Sequence, residues 1–315
     1  MKLLISRRLP DRIMASAEAR FDVTTRDTSL PMTRAECIAA LAQYDVILPT
    51  LGDAFGADTF AAADPPRCKL LANFGVGYNH IDVAAAAANG IAVTNTPGAV
   101  TDATADIAMT LILMTARRAG EGERMVRAGQ WAGWHPTQML GLHVTGKTVA
   151  VIGMGRIGQA IARRCHHGFG CRIVFANRSP KTVDVPAEQM GLHAALAAAD
   201  IVVTAVPGGA ETHHIIDADA LAAMQPHAIL VNIARGDVVD ETALIAALQS
   251  GAIAGAGLDV YEHEPAVPDA LIAMENVTLL PHLGTAALDV RENMGQMALD
   301  NIIAHAEARP LPNPV

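Results

Sequence analysis

The stretch that most constrains this chain is VAVIGMGRIGQAIARR, Val149 to Arg164. An apolar run, Val149–Ile152, reads as a buried strand. Gly153, Gly155 and Gly158 follow in GxGxxG spacing, and Ile157, Ile161 and Ala162 then fall on one side of a helical pattern. Each glycine has its own physical task. Gly153 lets the chain turn tightly off the strand, Gly155 leaves room for a pyrophosphate against the backbone, and Gly158 lets helix and strand pack closely. The helix N-terminus then offers free N–H groups and a partial positive charge to the phosphates. A glycine-rich turn without a ligand is the alternative, and the strand before and helix after favour a dinucleotide. The candidate cofactor loop is therefore Gly153, Met154, Gly155, Arg156, Ile157 and Gly158.

A length of 315 residues suits two domains of roughly 150 residues each. Half the chain is hydrophobic and only 3% aromatic, so Ala, Val, Ile and Leu must do most of the packing. The formal charge of −9 argues against a nucleic-acid surface and against an anionic membrane, while a local basic site can still take an anionic substrate. Cys37, Cys68, Cys165 and Cys171 are scattered without a CxxC pair, which predicts buried thiols and neither a disulfide framework nor a metal site. The N-terminal MKLLISRRLPD is too short in apolar residues for a signal peptide. The longest apolar run, Ile107–Met114, falls far short of the roughly 18 residues of a membrane span. A soluble cytoplasmic protein is expected.

Strands are predicted at Lys2–Ile5, Val46–Leu48, Leu70–Asn73 and Ile91–Val93, with helical patterns between them, giving a first α/β unit. The loop Gly75, Val76, Gly77 follows a strand end, where its N–H groups can face an anion; an ordinary strand-to-helix turn fits equally well. Pro97-Gly98 marks a boundary. Thr101 or Asp102 caps a long helix reaching Arg127, apolar on most faces and so buried or in a subunit interface. Trp131 and Trp134 lie in a loop-like stretch, as interface anchors, pocket lining or simple packing. From Thr148 strands and helices alternate: Thr148–Ile152, Arg172–Ala176, Ile201–Ala205, Ala228–Asn232, Ile253–Leu258 and Val277–Leu279. This predicts a parallel, doubly wound sheet. The fingerprint sits mid-chain, so the nucleotide domain, 99–285, is read as inserted into the other, 1–98 and 286–315, which a last helix over 285–308 completes.

An acidic residue about 20 positions after the glycines binds the ribose 2′-hydroxyl in the NAD version of this motif. Here Asn177, 19 residues after Gly158, stands in that register, followed by Arg178 and Ser179. Arg178 can pair with a 2′-phosphate while Asn177 and Ser179 add hydrogen bonds, which favours NADP; stacking of Arg178 on the adenine would admit both cofactors. Three strand ends carry reactive side chains: Arg235 in IARGD, Asp259 and Glu264 in DVYEHEP, and His282 in PHLGTA. They suit hydride transfer to a 2-oxo acid. Arg235 holds the carboxylate and polarises the carbonyl, His282 protonates the oxygen, and Glu264 orients the imidazole and favours its charged form.

The set GVGYNHID, VIGMGRIG, NIARGDVVD, GLDVYEHEP and PHLGTA, in this order and spacing over nearly the whole chain, resembles the D-isomer-specific 2-hydroxyacid dehydrogenase family. The resemblance implies Arg235, Glu264 and His282 as the catalytic triad. It implies the amides of Val76 and Gly77, beside Gly75, as binders of the substrate carboxylate, with Leu51 and Trp134 near the substrate. It places Asp259 on the nicotinamide carboxamide. Thr104, Val206, Pro207, Thr212, Ile233, Ala234 and Gly284, together with Val76, Arg235 and His282, would line the cofactor. The NRS after the second strand and the tryptophan loop look most like the NADPH-dependent glyoxylate/hydroxypyruvate reductases. Asn79 and His80 depart from the Asp-Asn that many members carry. A homodimer through the helix after Thr101 and the Trp131/Trp134 loop is also implied. The resulting expectation is a Rossmann domain inserted into a flavodoxin-like one. The expected reaction is NADPH-dependent reduction of glyoxylate and hydroxypyruvate, with closure of the two domains over the substrate. Other enzymes of the family, of phosphoglycerate or D-lactate type, and a corepressor-like nucleotide-sensing protein are the alternatives.

Overall fold

The computed structural model describes residues 1–63 and 65–315. They form two units, Met1–Val100 with Thr285–Val315, and Thr101–Gly284. The first holds a five-stranded sheet: β1 (Lys2–Ile5), β2 (Asp22–Thr25), β3 (Val46–Leu48), β4 (Leu70–Ala72) and β5 (Ala92–Thr94). Its order is β2-β1-β3-β4-β5 with every pairing parallel, the flavodoxin-like arrangement. Successive side chains point to opposite faces. Leu3, Ile5, Val46 and Leu48 therefore pack with Leu299 and Ile302 of the helix Leu288–Ala306, whereas Leu4 and Ile47 pack with Phe55 and Phe60. Gly295 is required where that helix crosses the helix Asp11–Glu18, because a Cβ there would lie 2.8 Å from Ile13 Cγ2.

The second unit holds seven parallel strands: β6 (Thr148–Ile152), β7 (Arg172–Ala176), β8 (Ala187–Gln189), β9 (Ile201–Thr204), β10 (Ile229–Asn232), β11 (Gly255–Leu258) and β12 (Val277–Leu279). Their order, β12-β11-β10-β9-β6-β7-β8, is that of a Rossmann sheet, extended by a strand at the β12 edge. Chain order reverses between β6 and β9, which puts the glycine loop after β6 at the switch point where such sheets bind ligands. Val149 and Val151 share one face with Leu111 and Ile112 of the helix Thr101–Ala116; Ala150 and Ile152 face the opposite layer. Truncating the fully buried Leu111 to Ala should cost about 2–5 kcal/mol.

Two edge strands, β2 and β8, have no counterpart in the sequence reading. Both are short and largely exposed, so neither carries the apolar run or clean alternation that betrays an inner strand. The long helix expected to reach Arg127 is in fact two, Thr101–Ala116 and Ala119–Arg127. The Ala116 carbonyl accepts the Leu142 N–H at 2.7 Å, and Arg118 takes a left-handed φ of 52° at the break. Only glycine fits at 141, since a Cβ there would lie 2.3 Å from the Ala116 oxygen. No described helix is long and apolar enough to cross a membrane, and all four cysteines are free and buried.

Candidate active site

The glycine loop of the second unit is shaped by steric need. At Gly153 φ is +100°, and a Cβ would lie 2.7 Å from the Ala205 carbonyl carbon; at Gly158 it would lie 2.1 Å from the Gly153 oxygen. At Gly155 a Cβ would meet nothing within 4 Å, so this exposed position is open to an approaching group. Gly155 also caps the helix Arg156–Arg163 without a side-chain hydrogen bond, leaving the first-turn N–H groups without a side-chain cap. Arg156 is exposed, Ile157 half-buried and Met154 fully buried. The Met154 N–H is occupied, donating to Asn177 Oδ1 at 3.1 Å, while Asn177 Nδ2 donates to the Ser179 carbonyl at 2.8 Å. Asn177 thus fastens the end of β7 to the glycine loop. Arg178 is highly exposed and ion-paired with Glu211. Nearby in sequence, the Thr212 hydroxyl donates to the Pro207 carbonyl at 2.7 Å and closes the turn that follows Val206.

At the ends of β10, β11 and β12 three reactive groups are coupled. His282 Nδ1 and Glu264 Oε2 are 2.8 Å apart, and Glu264 Oε1 accepts the Tyr261 N–H at 3.1 Å. Burial pushes the Glu264 carboxyl up, but the His282 hydrogen bond and charge, the Tyr261 N–H and the Arg235 charge together hold it below the ordinary carboxylate value. Arg235 is lowered by burial and supported by the charges of Glu264 and Asp237. Its backbone is fixed by Asn232, whose Nδ2 donates to the Arg235 carbonyl at 2.9 Å and whose Oδ1 accepts from the Thr204 hydroxyl at 2.7 Å and the Ala234 N–H at 3.1 Å. Ile233 and Ala234 are both buried beside it.

His282 has a left-handed φ of 54°, an uncommon conformation for a residue with a side chain and one that surroundings must enforce. Asp259 supplies the enforcement. Its carbonyl accepts the His282 N–H at 2.9 Å, and its carboxylate accepts the Leu283 N–H at 2.6 Å and the Gly284 N–H at 2.8 Å. Burial raises the Asp259 carboxyl, against the lowering effect of those two N–H groups and of His282. Thr104 adds a hydrogen bond from its hydroxyl to the Gly284 carbonyl at 3.2 Å. Asp259 is therefore visibly the brace of the PHLG turn, a role the sequence reading did not give it.

In the first unit, the loop Gly75–Gly77 is held by its carbonyls. Asn73 Nδ2 donates to the Gly75 and Gly77 oxygens, each at 3.0 Å, and Asn95 Nδ2 donates to the Val76 oxygen at 2.8 Å. Neither the Val76 nor the Gly77 N–H donates to another described residue. His80 Nε2 lies 3.1 Å from Asn73 Oδ1, so the residue that departs from the usual pattern orients the asparagine. Leu51 is 38% exposed, and its carbonyl accepts from Arg7 Nη1 at 2.7 Å. Asn73, Asn95, Arg7 and Asn232 are absent from the sequence-derived site. Their only signal is position at or just past a strand end, which many polar residues share. Trp131 and Trp134, in the second unit, are 55% and 78% exposed.

Residues 109–284 match the model of the D-isomer specific 2-hydroxyacid dehydrogenase, NAD binding domain. Glyoxylate reductase of Thermococcus onnurineus is 43% identical over 310 residues, covering 96% of this chain and 92% of that protein. Glyoxylate reductase of Korarchaeum cryptofilum is 40% identical, covering 99% and 95%. Among solved structures, the NADPH-dependent glyoxylate/hydroxypyruvate reductase of Sinorhizobium meliloti, in complex with NADP and malonate, superposes with a TM-score of 0.88. It is 36% identical and covers 100% of this chain and 96% of that one. The match of the second unit and the full-length similarity together place this chain in the D-isomer-specific 2-hydroxyacid dehydrogenase family.

Proposed function

We propose that this protein reduces small 2-oxo acids, glyoxylate and hydroxypyruvate foremost, with NADPH as the preferred cofactor. The observation that carries the reading is the His282–Glu264 pair at 2.8 Å, with the Arg235 charge acting on the same carboxylate. A guanidinium, an imidazole and a carboxylate coupled in this way match what reduction of a 2-oxo acid demands. Similarity to glyoxylate reductases adds the substrate class.

NADPH, when bound, supplies the hydride. The residues around the glycine loop fit a dinucleotide: Gly155 is open and the helix start behind it has no side-chain cap. Gly153, Met154, Gly155, Arg156, Ile157 and Gly158 would hold the pyrophosphate, with Val206, Pro207, Thr212, Ile233, Ala234, Thr104 and Gly284 lining the rest. Arg235 would pair with the substrate carboxylate and draw electron density from the carbonyl. His282, paired with Glu264 through Nδ1, would give up the proton on Nε2 to the carbonyl oxygen. Glu264, held ionised by its neighbours, accepts the hydrogen bond from Nδ1 and orients the imidazole. Asp259 keeps one lone pair per oxygen beyond its turn contacts, enough to meet a carboxamide N–H. In the first unit, the Val76 and Gly77 N–H groups are donors of the kind an anion requires, and Leu51 stands on the loop after β3.

Arg178 would exchange its partner Glu211 for the 2′-phosphate, a dianion with three acceptor oxygens. The functional test is a turnover assay with glyoxylate, comparing NADPH with NADH on wild type and Arg178→Ala. The wild type should prefer NADPH, and the variant should lose most of that preference, about tenfold. An unchanged preference would overturn this account of the 2′-phosphate, and no turnover at all would favour a nucleotide-binding protein without catalysis. The exposed Val126, Trp131, Trp134 and Leu140 suit the covered face of a homodimer, which the concentration dependence of sedimentation would test.

A further inference from the structure

We propose that His213, His214 and Glu262 form a binding site for one divalent transition-metal ion of the zinc type, separate from the hydride-transfer chemistry. His213 is exposed, whereas His214 and Glu262 are half-buried. One potential ligand atom from each lies within 4.8 Å of the other two. His214 Nε2 and Glu262 Oε1 are already 2.9 Å apart. A tetrahedral ion holding both at about 2.0–2.1 Å would set them about 3.3–3.4 Å apart, so the pair need open by only a few tenths of an ångström to admit it. The His213 and His214 rings stack with centroids 3.9 Å apart and planes 29° from parallel. Neighbouring residues in an extended chain would point their rings apart. Here His214 has a left-handed φ of 50°, which helps fold the two rings to one side.

The cluster is anchored from behind. The His214 N–H donates to the Asp237 carbonyl at 2.7 Å, and the Glu262 N–H donates to Glu241 Oε1 at 2.9 Å. Both ligands therefore start from fixed backbone; their side chains open slightly to admit the ion, and the exposed His213 swings in to close the set. Two neutral imidazoles and one carboxylate are ligands that zinc accepts, and three protein ligands leave a fourth position for water. The ion would tie the turn after β9 to the segment after β11 that carries Glu264.

The test uses the full-length protein, stripped of metal and dialysed against zinc chloride near neutral pH. The proposal expects one zinc equivalent per chain and a higher melting temperature with zinc. His213→Ala and Glu262→Gln should each weaken binding by about tenfold or more, since loss of a ligand costs at least what loss of a supporting contact does. His166→Ala, which alters another adjacent histidine pair, should leave the affinity unchanged. Absence of a zinc equivalent, or binding that both His213→Ala and Glu262→Gln leave intact, would overturn the proposal. So would weakening in only one of those two variants. The His213 side chain is exposed, and Glu262→Gln keeps the shape of its residue, so neither substitution threatens folding.

Discussion

Two glycine loops follow strand ends in this molecule, and they are held open by opposite means. The Gly153–Gly158 loop of the second unit is set by the absence of side chains. Any Cβ at 153 or 158 would overlap backbone, and no side chain caps the helix behind it. The Gly75–Gly77 loop of the first unit is set by side chains brought in from outside, Asn73 and Asn95, which occupy its carbonyls and leave the Val76 and Gly77 N–H groups unspent. A loop that depends on missing atoms should fail sharply when an atom is added. A loop that depends on three hydrogen bonds should fail by degrees.

The largest effect is expected from Gly158→Ala. The new methyl would lie 2.1 Å from the Gly153 oxygen, so helix and strand must separate. Binding of NADPH, followed by fluorescence titration, should be lost or the second unit should melt; wild-type affinity with an unchanged melting temperature would break the contrast. Asn73→Ala comes next. It removes two hydrogen bonds to the loop carbonyls, together about 1–3 kcal/mol, which should raise KM for the 2-oxo acid by roughly tenfold and leave KM for NADPH unchanged. A change confined to NADPH would show that the first-unit loop does not serve the substrate. The smallest effect is expected from Glu211→Gln. Releasing Arg178 from an exposed pair worth about 0.2–1 kcal/mol should raise the NADPH preference only a few-fold, read as the ratio of kcat/KM values.

The contrast also explains how much was legible in the sequence. A loop built on glycine spacing writes itself into the chain, and so do the buried inner strands β1, β3, β6, β7, β9 and β10, whose runs of apolar residues are covered on both faces. The edge strands β2 and β8 do not, because half of each strand meets water. The helix break at Arg118 depends on Leu142 reaching the Ala116 carbonyl, a contact 26 residues away in the chain that no local pattern encodes. For the site, IARGD, DVYEHEP and PHLGTA marked Arg235, Glu264 and His282. The residues that hold them, Asn232 and Asp259 through its turn contacts, were missed in that role because bracing is a matter of tertiary distance. The His213–His214–Glu262 cluster was invisible for the same reason: its members come from two segments nearly fifty residues apart.

Acid should expose the same coupling. Because the folded Glu264 carboxyl lies below its ordinary value, its contribution to stability is complete above that value and is lost as pH falls through the lowered one. Glu264→Gln should therefore flatten the acid limb of the melting-temperature profile, and an unchanged limb would remove Glu264 from the ion pair.

In the proposed reaction His282 gives the proton as hydride reaches the substrate carbon. Single-turnover oxidation of NADPH by glyoxylate, measured for wild type and His282→Ala at saturating cofactor, tests it most directly. Proton donation by His282 requires a rate lower by about 10²–10⁴-fold in the variant, with NADPH affinity retained. A variant that turns over at a rate close to wild type would contradict it.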